Sequence, residues 1–189
     1  MINVDLFNFI NHNLQNPLFD SIMPFITHLG GFKAMLIICV AVFVLAVIFN
    51  KDNYKKIALL CLVSLLVAGG IAFILKYVIL EPRPFVTLSD VHLLIVEDDP
   101  ASFPSGHTTS TVAVLGVLIF KYKDKLLRAL LIICCFLVAF SRIYCGVHYP
   151  FDVIAGAIIG TVVSYLVYRY EDKVIHIYNK ILVMIGFKK

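Results

Sequence analysis

The sequence predicts an all-α fold, a polytopic membrane helical bundle of about five spans, and three observations carry that reading. Apolar residues make up 61% of the 189 residues and charged residues 15%, with a mean hydropathy of +0.95. A soluble domain runs nearer 45–50% apolar and about 25% charged. Five apolar runs reach or approach the roughly 20 residues that cross a bilayer as a helix. None of them alternates polar and apolar residues, so helices are favoured over barrel strands. The chain therefore reads as one membrane-embedded domain over residues 1–189. A soluble enzyme, a disordered chain and a disulfide scaffold are excluded. Nucleic-acid binding has no support, because there is no basic stripe and no interleaved aromatic platform.

Residues 1–31 hold no comfortable span. Val4, Leu6, Phe7, Phe9 and Ile10 alternate with Asn and Asp, and the apolar stretch 18–29 is short and contains Pro24. One or two helices lying in the interface are expected there, with a short sixth crossing as the alternative. No basic n-region precedes the first apolar residues, so no cleavable signal peptide is expected. The spans are expected over residues 32–49, 57–79, 104–120, 126–144 and 151–168. In the second, Gly69-Gly70 suggests tight packing or a kink. In the fifth, Gly156 and Gly160 form a GxxxG pattern better suited to close packing within the chain than to dimerisation. Residues 171–189 mix Lys with Ile, Leu and Phe and read as an interfacial cytoplasmic tail. Cys39, Cys61, Cys134, Cys135 and Cys145 lie in or beside apolar runs without a CxxC pair and read as small core residues.

Charge placement orients the bundle. The turns after the first and third spans and the tail after the fifth carry twelve of the sixteen basic residues: Lys51, Lys55, Lys56, Lys121, Lys123, Lys125, Arg128, Arg169, Lys173, Lys180, Lys188 and Lys189. The positive-inside rule makes that face cytoplasmic. The opposite face keeps only Lys33, Lys76, Arg83 and Arg142 against eight acids. Three of those four sit at span ends, where an ionisable residue is a functional candidate by default.

Three clusters fall on that outer face: Lys76 with Arg83-Pro84, then Pro104-Ser105-Gly106-His107, then Ser141-Arg142 with His148 and Asp152. Lys76, Arg83 and Arg142 brought together would repel one another without an anion, and guanidinium forks match phosphate oxygens. Pro104 suits a first helical turn, so the N–H groups of Ser105, Gly106 and His107 would point out of a helix start, a ready anion site. His148 and Asp152 are four apart. The carboxylate could take the proton of one imidazole nitrogen and leave the other free to attack, with His107 placed to protonate a leaving oxygen.

KYVILEPRP, PSGH and SRIYCGVHYPFD, in that order, resemble the signature of the type-2 phosphatidic acid phosphatase superfamily, membrane lipid phosphatases related to vanadium haloperoxidases. The likeness covers residues 76–152 by motif and most of the chain by helix order. It implies His148 as a nucleophile that forms a phosphohistidine, Asp152 as its orienter and His107 as the acid. It also implies Lys76, Arg83, Ser105, Gly106 and Arg142 as phosphate ligands, with no metal and no cofactor. A compact member without added domains is similar to the bacterial undecaprenyl-diphosphate phosphatases. The expected partner is thus a polyprenyl diphosphate lipid in the bilayer, dephosphorylated at the extracytoplasmic face. Phosphatidylglycerophosphate or phosphatidate is the alternative substrate.

A transporter or proton channel is the reading from another class. It predicts polar residues near span midpoints and inverted repeats, whereas here they cluster at the outer ends. Glu97-Asp98-Asp99, in the outer loop, is expected to be a solvated acidic turn. Ser141 could pack or bond locally, and His12, His28, His92 and His176 read as loop or interfacial histidines.

Overall fold

The computed structural model describes residues 2–186, which leaves Lys188 and Lys189 of the expected tail outside the described residues. The first described helix is α1 (Ile2–Asn8), continued by one π-helical turn, Phe9–Asn13. Then come α2 (Pro17–Leu29), α3 (Phe32–Ile48) and α4 (Asp52–Ile79). The short α5 (Pro84–Thr87) opens a long loop, which leads into α6 (Gly106–Lys121). The chain goes on through α7 (Lys125–Tyr144), α8 (Pro150–Arg169) and α9 (Glu171–Met184).

Each of the five apolar runs is a helix, as expected, though not every one is long and apolar enough to cross by itself. By length and composition α4, α7 and α8 can cross a membrane on their own, and α2 with α3, bent by 55° at their junction, can form a fourth crossing. α6 has only 16 residues. It is the central helix, and much of it packs on protein: Thr108, Thr109, Ser110, Thr111, Ala113 and Val117 are all buried. A helix wrapped by its neighbours need not have the length or the uniform apolar surface of one facing lipid.

Helix starts follow local chemistry. Asn16 caps α2 by accepting the Phe19 N–H at 2.9 Å, ahead of Pro17. Asp124 caps α7 through the Leu127 N–H at 2.7 Å. Leu65, Ala113, Val117 and Val163 form the buried seam among α4, α6 and α8. The outward faces of α4 and α7 stay apolar, with Leu66, Phe73, Ile74, Leu130, Ile133 and Phe136 all exposed. Surface of that kind needs lipid to cover it.

Two contacts bring α8 onto α6. A Cβ at Gly156 would lie 2.7 Å from the Ser105 carbonyl, and one at Gly160 would lie 2.9 Å from the Ala113 nitrogen. The GxxxG is thus a packing face within the chain. Gly69 lies against the Phe32 ring, while Gly70 faces open space, and α4 runs unbroken through both.

The N-terminal segment is helical, as expected, and its inner residues pack into the bundle. Phe7 is fully buried, edge-on to Tyr149 with ring centroids 5.6 Å apart. Asn11, also buried, donates to the carbonyls of His92 (2.9 Å) and Tyr144 (2.8 Å) and accepts the His92 N–H at 2.9 Å. It thereby holds the 88–101 loop against the end of α7.

Candidate active site

The outer ends of α4, α6, α7 and α8 and the loop before α6 meet at one end of the bundle. Lys76 sits in the last turn of α4. Arg83 immediately precedes α5, held by an isolated antiparallel bridge between Pro82 and Ala101. Arg142 is in the last turn of α7, His148 in the tight connection to α8, and Asp152 in the first turn of α8. Arg83, Arg142, His148 and Asp152 are all buried.

Arg83 is fixed on three sides. Its Nε donates to the Asp99 carbonyl at 2.6 Å and its Nη1 to the Val147 carbonyl at 2.9 Å, and Nη1 stands 3.3 Å from His148 Nε2. A guanidinium only donates, so Nε2 is the acceptor and the ring proton lies on Nδ1. Nδ1 is 3.3 Å from Asp152 Oδ2 and 3.2 Å from Ser102 Oγ. Asp152 Oδ2 also takes the Tyr149 N–H at 2.9 Å. The ring therefore presents a bare Nε2 toward the cations. Burial, with Arg142 and Arg83 close by, drives the His148 pKa well below the ordinary 6.5.

The expected acidic turn is a correction. Glu97 is ion-paired with Arg142, and its other oxygen is 3.9 Å from Arg83. Asp99 Oδ2 is 2.9 Å from Lys76 Nζ and 3.8 Å from Arg83. Only 21% of the Glu97 side chain is exposed, so it is not a solvated residue. Burial is the strongest single influence and pushes the Glu97 carboxyl up, but Arg142, His107 and Arg83 together outweigh it and hold the group below its usual value. Asp99 is lowered in the same way, against burial, by Lys76, the Ala101 N–H and Arg83 together. Carboxylates thus face all three cations of the expected phosphate site. Arg142 Nη1 donates to Thr27 Oγ1 at 2.7 Å, and its buried Nε has no partner.

The helix start of α6 behaves only in part as expected. The Ser105 N–H donates to the Asp152 carbonyl at 3.0 Å and is not aimed out, while its hydroxyl caps the helix by accepting from Thr108 and keeps its own proton to donate. The N–H groups of Gly106 and His107, in the first turn, have no intrahelical acceptor and remain suited to that role. His107 stands within electrostatic reach of Arg142, Glu97 and Arg83. The bend between α2 and α3 lies against it: a Cβ at Gly31 would be 3.2 Å from its Nε2. Ser141 bonds locally, donating to the Val138 carbonyl at 2.7 Å. Ser102, Thr27 and Glu97 complete the site without belonging to any motif. Of the three, only Glu97 drew notice in the sequence, for its charge.

The sequence profile described as the PAP2 superfamily matches residues 57–175, more than half of the chain. The chain belongs to the PAP2 superfamily. Among its PAP2 relatives, undecaprenyl-diphosphatase BcrC of Bacillus subtilis is 33% identical over 90% of this chain and 85% of its own. An undecaprenyl-diphosphatase of Sulfolobus acidocaldarius is 33% identical over 90% of this chain and 79% of its own. The fold resembles the crystal structure of a PAP2-type phosphatidylglycerolphosphate phosphatase from Bacillus subtilis. Its TM-score is 0.78 at 25% identity, covering 91% of this chain and 85% of that one. It also resembles LpxE of Aquifex aeolicus, with TM-score 0.71, 31% identity, and 90% and 96% coverage. The protein is an enzyme, a membrane phosphatase of the PAP2 type.

Proposed function

We propose that this PAP2 phosphatase hydrolyses a polyprenyl diphosphate, of the undecaprenyl type, to the monophosphate through a phosphohistidine on His148. The observation that carries the reading is the meeting of Lys76, Arg83 and Arg142 around a bare imidazole nitrogen, with only carboxylates as their present counter-charges. Phosphoryl oxygens take over the positions of the Glu97 and Asp99 oxygens. His148 Nε2 attacks the terminal phosphorus as the bond to the bridging oxygen breaks, and His107 gives that oxygen its proton. Water then attacks the phosphohistidine, passing a proton to His107, and the N–P bond breaks to release inorganic phosphate. The cations stabilise charge in both steps, and Asp152 steadies the ring as it becomes cationic.

The lipid end has a matching path. A cavity of about 420 Å³ runs from Lys76 along α4, lined by Phe32, Leu66, Gly69, Gly70 and Phe73. It gives an apolar chain a route from the phosphate site toward the bilayer. The names of the two relatives at 33% identity support the diphosphate over a glycerolipid. The lysine-rich turns at the opposite end of the bundle support an extracytoplasmic site.

The test is release of phosphate by the detergent-purified protein in EDTA from undecaprenyl diphosphate, phosphatidylglycerophosphate and phosphatidate, each offered alone. Preference for the diphosphate and loss of turnover in His148→Ala are expected. Strong turnover of the glycerolipids alone would overturn the substrate, and undiminished turnover by the variant would overturn the mechanism.

A further inference from the structure

Ser102 lies outside every motif, yet its side chain stands between the two members of the His148–Asp152 pair. Its Oγ is 2.5 Å from Asp152 Oδ2 and 3.2 Å from His148 Nδ1. It is fully buried, and its N–H is anchored on the Glu81 carbonyl at 2.7 Å, one residue along from the Pro82–Ala101 bridge. We infer that Ser102 is a positioning residue that sets the tautomer of His148, an inference that rests on His148 being the nucleophile.

The argument is a proton count. A serine hydroxyl has one proton to donate and lone pairs to accept with. An ionised Asp152 only accepts, so at 2.5 Å the proton of Ser102 points at Oδ2. Its lone pairs then face the ring, and they can accept a proton from Nδ1 but offer it none. On the other side of the ring, Arg83 can only donate to Nε2. Two one-way partners thus force the same answer, Nδ1–H and a bare Nε2. Asp152 alone would be a weaker guide, since its direct approach to Nδ1 is 3.3 Å and Oδ2 is already shared with the Tyr149 N–H. When Nε2 gains the phosphoryl group, the positive charge on the ring reaches the carboxylate both directly and through the hydroxyl. No proton changes owner in this relay; it aligns donors and acceptors.

The first test needs no substitution. Spectra of the [15N]histidine-labelled protein, with the His148 signal assigned by its loss in His148→Gln, are expected to show Nδ1–H and a bare Nε2. A resting Nε2–H form would overturn the inference. In folded Ser102→Ala, an Nε2–H population is expected to appear, with kcat lowered about ten- to hundredfold and KM within about twofold, and Ser102→Thr is expected to restore most of the rate. Added to Asp152→Asn, Ser102→Ala is expected to cost less than about threefold, because the carboxylate end of the relay is already gone. An unchanged rate and tautomer in Ser102→Ala, or full additivity with Asp152→Asn, would overturn the inference.

The nucleophile reading is tested separately by trapping the phosphorylated protein from labelled substrate. Wild type is expected to carry acid-labile, base-stable label, and His148→Ala none. Label retained by His148→Ala would end the nucleophile reading and the catalytic part of the inference with it, whatever the spectra show.

Discussion

His148, the proposed nucleophile, has three neighbours that each limit what its ring can do: Arg83 at Nε2, and Ser102 and Asp152 at Nδ1. Burial and the cations Arg142 and Arg83 lower its pKa well below 6.5. A lowered pKa means that the neutral, attacking form survives as the pH falls. The acid limb of the pH profile of kcat/KM, corrected for ionisation of the substrate, is therefore expected to lie below pH 6.5. An acid limb centred at or above that value would contradict the assignment. His107→Ala is expected to lower kcat by roughly 10²–10⁴-fold on the lipid. It should cost far less on an aryl phosphate whose leaving group needs no proton, and equal losses on both would remove His107 as the acid. Lys76, Arg83, His107, Arg142, His148 and Asp152 were legible because their spacing and chemistry form a recognisable pattern. Ser102 and Thr27 were not, because a serine or threonine acquires a role only from what the fold sets opposite it.

The loop before α6 and the seam between α6 and α8 do opposite things for the site. The loop supplies Glu97 and Asp99, whose carboxylates must give way to phosphate under the mechanism above. Glu97→Gln keeps the shape but removes the charge that competes for Arg142. Inorganic phosphate is accordingly expected to inhibit this variant more tightly, by about tenfold in Ki, or about 1.4 kcal/mol. An unchanged or weaker Ki would show that Glu97 does not share the phosphate position. The seam fixes geometry instead. Gly160→Ala would place a methyl 2.8 Å from Val112 Cβ and 2.9 Å from the Ala113 backbone. Overpacking of this kind costs about 1–3 kcal/mol. A lower thermal midpoint in detergent is expected, and an unchanged one would mean that the two helices part easily. The GxxxG was visible in the sequence, but its partner could be named only once Ser105, Thr109 and Val112 were seen against it.

The bundle gathers its chemistry at one end and its lysine-rich turns at the other, where Lys121 pairs with Glu171 at 2.5 Å. If the positive-inside rule holds, Val96→Cys in the site-bearing loop, where Val96 is 82% exposed, should react with a membrane-impermeant maleimide on intact cells. Lys123→Cys should react only after permeabilisation. Both belong in a Cys134→Ser background, since Cys134 is an exposed native thiol. The reverse pattern would place the active site in the cytoplasm. Fewer than five of the described helices are long and apolar enough to cross by themselves, for a physical reason. Hydropathy treats every apolar run as lipid-facing, yet α6 is short, hydroxyl-rich and enclosed by its neighbours. The N-terminal helices were expected, but their anchoring was not legible, since nothing in the sequence ties Asn11 to the carbonyls of His92 and Tyr144.

Composition and run length were enough to place this chain in a membrane as helices, because a backbone in lipid has almost no other way to satisfy its hydrogen bonds. Motif spacing was enough to single out six groups that the fold brings to one end of the bundle, since each pairs a particular functional group with a particular helix end. Only the folded arrangement showed that Glu97 and Asp99 face the cations, that the Ser105 N–H is taken by Asp152, and that Ser102 sits between His148 and its carboxylate. Those facts depend on pairs of atoms from distant parts of the chain, and local pattern carries no information about which distant donor meets which acceptor.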